Sequence, residues 1–338
     1  SRPVEGRLLP ARVRKDAPAV QTYIIKRMIQ FIPVIIGVTF LVYALVLLLP
    51  GDPVSALLGL SEGQAQIEPE VVEAYRRELG LDRPIPVQYA MWLGRVVQGD
   101  FGTSIKTRRP VVVEIVPRLK VTAQISVAAF LVSLLIAFPA GVTAAIWRNS
   151  WLDRLVTVLA VAAVAVPSFW LAIMMILLFS VELGWLPPSG FASPFEDPVR
   201  GIKLMIMPVL ILGWEGAAVL TRQTRSSMLE VLNQDYVRTA RAKGLGAKRV
   251  IWLHALKNAM LPVITIIGLR VGFLLGGAAI VETIFTIPGI GRLLVSSIST
   301  RDFPVIQALV LIIALCTVIA SLLTDLAYGL LDPRIRFR

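Results

Sequence analysis

The sequence contains very few of the side chains that most often bind metals, with one cysteine, Cys316, and one histidine, His254. A single cysteine excludes a disulfide within the chain and a metal site built from cysteines. Cys316 lies in an apolar run, where we expect a small buried or lipid-facing residue. His254 lies in a basic loop, where we expect a surface or interface role. The sequence therefore predicts no metal site.

Motifs for nucleotide binding and catalysis are also missing. The chain has no G-x-x-x-x-G-K-[ST] segment, so it cannot bind ATP through that kind of loop, and it has no H-E-x-x-H zinc motif. Serine–histidine chemistry would depend on His254 alone, which leaves no credible nucleophile with a base. We therefore expect no enzymatic activity and no cofactor in this chain.

Charged residues are scarce, at 17% of the chain, whereas 56% of the residues are hydrophobic and the mean hydropathy is +0.75. Apolar runs close to the roughly 20 residues that a helix needs to cross a bilayer recur along the sequence. This pattern predicts an all-α integral membrane protein surrounded by lipid. Six transmembrane helices are predicted, at 29–49, 121–146, 155–181, 204–221, 259–281 and 304–330.

The net charge of +12 does not indicate nucleic-acid binding, because the basic residues gather between the apolar runs and few aromatic residues lie among them. Lysine and arginine are enriched in the cytoplasmic segments of membrane proteins. Their placement predicts that both termini are cytoplasmic. A basic N-terminal tail at 1–28 and a C-terminal tail at 331–338 then flank a six-helix domain at 29–330.

The segment 50–120 is predicted to form a small external cap between the first two transmembrane helices. Within it, helices are expected over 68–79 and 85–97, with the first ending at a glycine and a proline-containing break between them. We expect no separate soluble domain here.

The predicted cytoplasmic loop 222–258 contains a short basic helix with a recognisable start and end. Asp235 can cap the free N–H groups of its first turn, and Gly244 can adopt the left-handed conformation that ends a helix. Arg241 and Lys243 then lie near the negative end of the helix dipole. A compact helix beneath a membrane bundle indicates docking to another protein.

Two charged residues are predicted within the membrane, Glu215 in the fourth helix and Arg270 in the fifth. A charge at that depth is costly if it faces lipid, so each is expected to face a partner or a wet cavity. We predict that both line a translocation pathway, where they can pair with each other. The alternative places Glu215 in a protein-buried kink and has Arg270 snorkelling or binding carbonyls.

Gly268, Gly272 and Gly276 follow one another at four-residue spacing on the fifth helix. Small residues on one face allow membrane helices to approach closely. The spacing predicts that this helix packs against a neighbour or lines a path. Gly272 and Gly276 are accordingly placed beside the translocation pathway.

The stretch 276–291 is apolar yet rich in turn residues. Apolar groups in an external loop cost stability unless they pack or contact a partner. The stretch is therefore either a re-entrant turn packed on the bundle or a gate or docking surface. In the second interpretation, the functional residues are Glu282, Phe285, Pro288 and Gly289.

The internal loop resembles that of permease subunits of dipeptide/oligopeptide ABC importers. The matching stretches are Tyr236-Val-Arg-Thr-Ala-Arg-Ala-Lys-Gly-Leu and His254-Ala-Leu-Lys-Asn-Ala-Met-Leu-Pro. The likeness extends, in the same order, to Pro50-Gly-Asp-Pro, Leu79-Gly-Leu-Asp-Arg-Pro, Gly99-Asp-Phe-Gly and Val281-Glu-Thr-Ile-Phe. It covers nearly all of the chain from about residue 24 to residue 334.

The resemblance implies the type I ABC importer permease fold, in a bacterial cell membrane. The implied partners are a second homologous permease forming a heterodimer, two cytoplasmic ABC ATPase subunits that carry ATP and Mg, and an extracytoplasmic peptide-binding protein. The binding protein or the gate would use the turn at 282–289. The helix at 235–244 would be the coupling helix that seats in a groove of the ATPase. Its implied contacts are Asp235, Tyr236, Arg238, Thr239, Ala240, Arg241, Lys243 and Gly244, with Arg238-Thr239-Ala240 standing where broader importer families carry Glu-Ala-Ala.

Other functions remain open at this point. Nickel or glutathione are alternative cargoes for the same architecture. An ion-coupled secondary transporter would need intramembrane carboxylates as relays, and Glu215 alone clearly qualifies. An intramembrane enzyme is disfavoured because no catalytic constellation is recognisable.

Overall fold

The computed structural model describes residues 17–47, 73, 77 and 82–331. In these residues the secondary structure is helical, apart from one isolated bridge between Thr103 and Pro110. The α-helices are α1 (Ala17–Leu47), α2 (Ile85–Val97), α3 (Val111–Ile146), α4 (Trp151–Ala165), α5 (Ser168–Met175), α6 (Pro198–Leu232), α7 (Asp235–Ala242), α8 (Leu256–Ile284), α9 (Ile290–Ser299) and α10 (Phe303–Leu331). Two π-helical segments, Ile176–Glu182 and Val250–Ala255, continue α5 and precede α8, and a short turn at Ala247–Arg249 leads into the second.

The described helices confirm an all-α membrane protein and adjust the predicted bounds. Four helices are long and apolar enough to cross a membrane, or five if one bent pair counts as a single span. The described side chains of α1 add a shorter apolar helix, Met28–Ala44, so the count of six stays a prediction. Residues 17–28 of the N-terminal tail predicted at 1–28 are helical and continuous with the rest of α1. Residues 1–16 and 332–338 lie outside the described part.

The third predicted span is broken rather than straight. Helices α4 and α5, with the π segment that continues α5, meet at an angle of 103°. Pro167 lacks an N–H group and disfavours helical geometry in the residue before it. Val166 accordingly adopts an extended conformation, with φ −83° and ψ 121°. Pro167, inside the span predicted over 155–181, is therefore the corner of a bent pair.

The centre of the bundle is the pair α3 and α6, which approach each other very closely. A Cβ atom on Gly213 would lie 2.9 Å from the Ala129 carbonyl oxygen, and one on Gly141 would lie 2.8 Å from the Thr221 carbonyl oxygen. Glycine permits this backbone contact, which is how helices associate in lipid. Helix α3 also begins at Val111, ten residues before the predicted span, so residues 111–120 of the predicted cap are helical and continuous with that span.

Helix α8 packs against α6 on one side and α10 on the other. The predicted close packing of its glycines is confirmed at Gly268 and Gly272, where an added Cβ would meet Thr324 and Thr317 of α10. It is wrong for Gly276, which has nothing within 4 Å of that position. Gly272 therefore serves the packing of α8 on α10.

The cap predicted at 50–120 is described in part. Helix α2 has the predicted bounds, and its inner face packs on α1, with 2.7 Å between Tyr89 Oη and Thr39 Oγ1. Tyr89 and Trp92 also lie near the ring of Tyr43. The helix predicted over 68–79 falls mostly outside the described residues. Within that range the structure describes Glu73 and Arg77, and both are helical.

Candidate functional site

The predicted coupling helix is present as α7, and its end agrees with the prediction. Gly244 has φ +77°, in the left-handed region. Its N–H donates to the Arg241 carbonyl at 2.9 Å, and the N–H of Leu245 donates to the Ala240 carbonyl at 3.3 Å. These two bonds form a Schellman motif, which ends a helix sharply. The position of the last turn therefore depends on a conformation that glycine adopts readily.

The start of α7 differs from the prediction. Gln234 precedes the helix in an extended conformation and makes no side-chain cap bond, so Asp235 is the first helical residue and not the cap. The Asp235 carboxylate is exposed, and Arg238 Nη1 lies 3.5 Å from its Oδ1. A negative charge in the first turn still suits the helix dipole. The contribution of Asp235 to the start of α7 therefore comes from its charge and not from a capping bond.

The two faces of α7 have different surroundings. Val237, fully buried, and Ala240, 8% exposed, pack on Val250 of the π segment. Ala240 is therefore wrong as a predicted partner contact, because it faces the chain's own core. The other predicted contact residues are exposed and form one outer face, made of Asp235, Tyr236, Arg238, Thr239, Arg241, Lys243 and Gly244.

Helix α7 is joined to α8 by hydrogen bonds. Asn258 Nδ2 donates to the Tyr236 hydroxyl at 2.8 Å and to the His254 carbonyl at 3.1 Å. His254 lies in the π segment that precedes α8. Asn258 lies within the family motif of the internal loop, but the motif alone did not indicate this contact. The Tyr236–Asn258 bond therefore links α7 to the start of α8.

A second connection at this end of the bundle, between α4 and α6, was missed from the sequence. Arg225 Nε lies 2.5 Å from Asp153 Oδ1, and Nη2 lies 2.8 Å from Oδ2, which makes a bidentate ion pair. Asp153 is almost fully buried. The Ser150–Asp153 spacing is typical of a helix start, and Asp153 N–H does donate to Ser150 Oγ. Nothing in that pattern indicated Arg225, which is 72 residues away.

The two intramembrane charges form an ion pair, with Arg270 Nη1 2.8 Å from Glu215 Oε1. The pair joins α6 to α8 and borders an open cavity. The remaining lining residues are Phe130, Ser133, Ser168, Ile211, Leu212, Gly216 and Leu274. The predicted contact between the charges is therefore confirmed. Gly272 and Gly276, which were predicted for the same passage, do not line this cavity.

The stretch 276–291 is mostly helix and buried turn. Residues 276–284 continue α8, and Glu282 and Phe285 have at most 1% exposure. Thr122 Oγ1 donates to Glu282 Oε1 at 2.5 Å, and Arg292 N–H donates to Glu282 Oε2 at 2.9 Å.

Glu282 therefore caps α9, whose own Gly289 has no side chain to do so. An added Cβ on Gly289 would also collide with this carboxylate. Glu282, Phe285 and Gly289 are thus wrong as docking residues in this conformation, whereas Pro288 is exposed. The packed-turn interpretation is the one that fits.

Comparison with known proteins agrees with the predicted resemblance. Residues 137–337 match the model of the family described as binding-protein-dependent transport system inner membrane component, and residues 20–126 match that of its N-terminal part. The glutathione transport system permease protein GsiC of Salmonella paratyphi A is 44% identical over 316 residues, 94% of this chain and 99% of that protein.

Two further relatives have similar coverage. The dipeptide transport system permease protein DppB of Alkalihalophilus pseudofirmus is 40% identical over 336 residues, 93% of this chain and 99% of that protein. GsiC of Escherichia coli K12 is 43% identical over 316 residues, 94% of this chain and 99% of that protein. Such proteins are transport components, which confirms the expectation that this chain is not an enzyme. The chain belongs to the family of binding-protein-dependent transport system inner membrane components and is an ABC importer permease subunit, of the type I permease fold, in the bacterial inner membrane.

Proposed function

We propose that this chain forms half of the translocation pathway of an ATP-driven importer for short peptides. The other half is a second, homologous permease in a heterodimer. Two cytoplasmic ABC ATPase subunits hold ATP and Mg, and an extracytoplasmic binding protein delivers the peptide. The observation that carries the proposal is α7, a sharply ended helix with a polar outer face and a direct hydrogen-bonded link to α8.

Helix α7 is the coupling helix in this account, and its exposed face seats on an ATPase subunit. Closure of the ATPases on ATP displaces α7 as a rigid body, because Val237 and Ala240 fix it to the π segment. The Tyr236–Asn258 bond passes the displacement to α8. ATP shifts the inward–outward equilibrium only through contacts that differ between the two states. The contacts of α7 with the ATPase are the proposed source of that difference.

The pathway is proposed to run beside the Glu215–Arg270 pair, between α6 and α8. Both helices continue toward the α7 end of the bundle, so a movement there changes the surroundings of the cavity. The opposite end of α8, about 43 Å away at 1.5 Å per residue, carries the turn with Pro288. We place the binding protein at that end.

Peptides are the proposed cargo because the relatives are named for dipeptide and glutathione transport. Dipeptides and glutathione share free amino and carboxylate groups. Nickel receives no support from the described residues, in which no cluster of three metal-binding side chains occurs. An ion-coupled transporter is disfavoured because the described intramembrane carboxylate Glu215 is paired with Arg270.

Reconstitution of the complex purified through this chain tests the proposed function. We expect two ATPases and a second permease to co-purify, and dipeptide-loaded binding protein to stimulate both ATP hydrolysis and dipeptide uptake into vesicles. Glutathione and nickel, each with the same binding protein, serve as competing cargoes. Uptake driven by a proton or sodium gradient in the absence of ATP would contradict the proposal. Stimulation by nickel alone would overturn the choice of cargo.

A further inference from the structure

The Glu215–Arg270 pair differs from an ordinary structural ion pair in its exposure. The Arg270 side chain is 18% exposed, whereas the Glu215 side chain is 53% exposed, and both border the cavity. Glu215 Oε1 accepts from Arg270, and more than half of the Glu215 side chain is exposed at the edge of the cavity. A carboxylate left open in a membrane span needs water or a polar occupant. This asymmetry indicates a site that accepts a ligand.

The lining of the cavity restricts the chemistry of that ligand. Phe130, Ile211 and Leu274 offer apolar surface, and Ser133 and Ser168 are neutral hydroxyls. The two opposite charges are therefore the strongest polar groups that the cavity presents. A small molecule with one anionic and one cationic group matches them, and the surrounding apolar surface accepts varied side chains.

We propose, building on the proposed function, that Glu215 and Arg270 form a transient binding site for the free termini of a peptide in transit. The peptide carboxylate replaces Glu215 on the Arg270 guanidinium, whose planar fork suits a carboxylate. The released Glu215 carboxylate then binds the peptide ammonium group. Every charge has a partner before and after this exchange, so passage avoids leaving a buried ion unpaired. A peptide with one blocked terminus leaves one of the two residues without its partner.

Thiol protection in the complete complex tests this site directly. The complex is placed in lipid nanodiscs without binding protein, with Cys316→Ala and Ser168→Cys in this chain. Labelling of position 168 by N-ethylmaleimide is then followed by mass spectrometry. The probes are the dipeptide alanyl-alanine, its C-terminal amide, its N-acetyl form and glutathione. By mass action, a bound probe slows labelling about fivefold at four times its Kd.

We expect alanyl-alanine and glutathione to protect position 168 and both blocked forms to protect it at least tenfold less tightly. Arg270→Gln is expected to remove the preference for a free carboxylate, and Glu215→Gln the preference for a free amine. Gly94→Ala in α2, where nothing lies within 4 Å of the added carbon, is the control and keeps both preferences. If a charge variant fails to assemble, the difference in protection between the free and the blocked dipeptides on the parent complex still tests the site.

Equal protection by all four probes, or by none of them, would overturn the site. Uptake with the binding protein, measured on the same preparation, separates this result from failure of the proposed function. Uptake of alanyl-alanine without protection means that peptides pass but do not bind this pair. Absence of uptake for every peptide would contradict the proposed function, and the proposed site, which depends on it, would be contradicted as well.

Discussion

Replacing Gly244 with valine is expected to uncouple ATP hydrolysis from uptake while the complex still assembles. The residue has φ +77°, which a β-branched side chain tolerates poorly, at a cost of about 1–3 kcal/mol. No atom lies within 4 Å of an added Cβ, so the effect comes from the backbone and not from a collision. Since one or two kcal/mol changes a population by about 5–30-fold, we expect uptake per ATP to fall about fivefold or more.

The neighbouring Gly246 provides a matched control. It lies in the same exposed loop, also has open space around it, and has φ −61° and ψ 144°, which valine adopts readily. Gly246→Val should therefore retain uptake and stimulated ATP hydrolysis. Both quantities are measured in vesicles with loaded binding protein. Normal uptake per ATP in Gly244→Val would show that the end of α7 is not needed to couple ATP hydrolysis to uptake.

Replacing Arg225 with methionine is expected to destabilise the permease more than the removal of an exposed charge does. The substitution keeps most of the side-chain volume but leaves the Asp153 carboxylate buried, at 4% exposure, without its bidentate partner. Breaking a buried pair on one side costs about 3–5 kcal/mol. We expect a cost near the lower end of this range, because the Arg225 side chain is 29% exposed and water screens its charge in part.

The measurement is unfolding of the purified chain in mixed micelles with rising denaturing detergent. Arg77→Met is the control, because the Arg77–Glu73 pair is exposed, at 70% and 64%, and such pairs contribute about 0–1 kcal/mol. The double variant Asp153→Asn with Arg225→Met should recover part of the loss, since no buried charge then remains unpaired. An Arg225→Met chain as stable as the Arg77→Met chain would show that the pair is dispensable.

The features that local sequence patterns could predict are those set by local physical chemistry. The bounds of α2 followed from a proline start and a turn after it, and the end of α7 followed from one glycine. The long apolar runs predicted the main helices to within a few residues at several ends. Local patterns were less informative about angles, because one span was predicted over 155–181 and the 103° bend at Pro167 was not predicted.

The features that escaped prediction depend on partners distant in the chain. Glu282 was assigned to a gate or docking surface in one of two interpretations, because it lies in an apolar, turn-rich stretch that was predicted to be an external loop. Its burial depends on Thr122, 160 residues away, and on the N–H groups of α9. Ala240 was assigned to the outer face of α7 by analogy with a motif, but Val250 covers it. The pairing of Glu215 with Arg270 was inferred correctly because a charge in a membrane has few alternatives.

Cross-linking from Thr239 in the intact importer tests the central claim most directly. A photoreactive group attached through Thr239→Cys, in a Cys316→Ala background, lies on the exposed face of α7, and the same group at Thr286→Cys lies beyond the far end of α8. We expect position 239 to cross-link to an ATPase subunit with a yield that changes with ATP. Position 286 is not expected to cross-link to an ATPase subunit. Cross-linking of position 239 to the binding protein, or to no subunit, would contradict it.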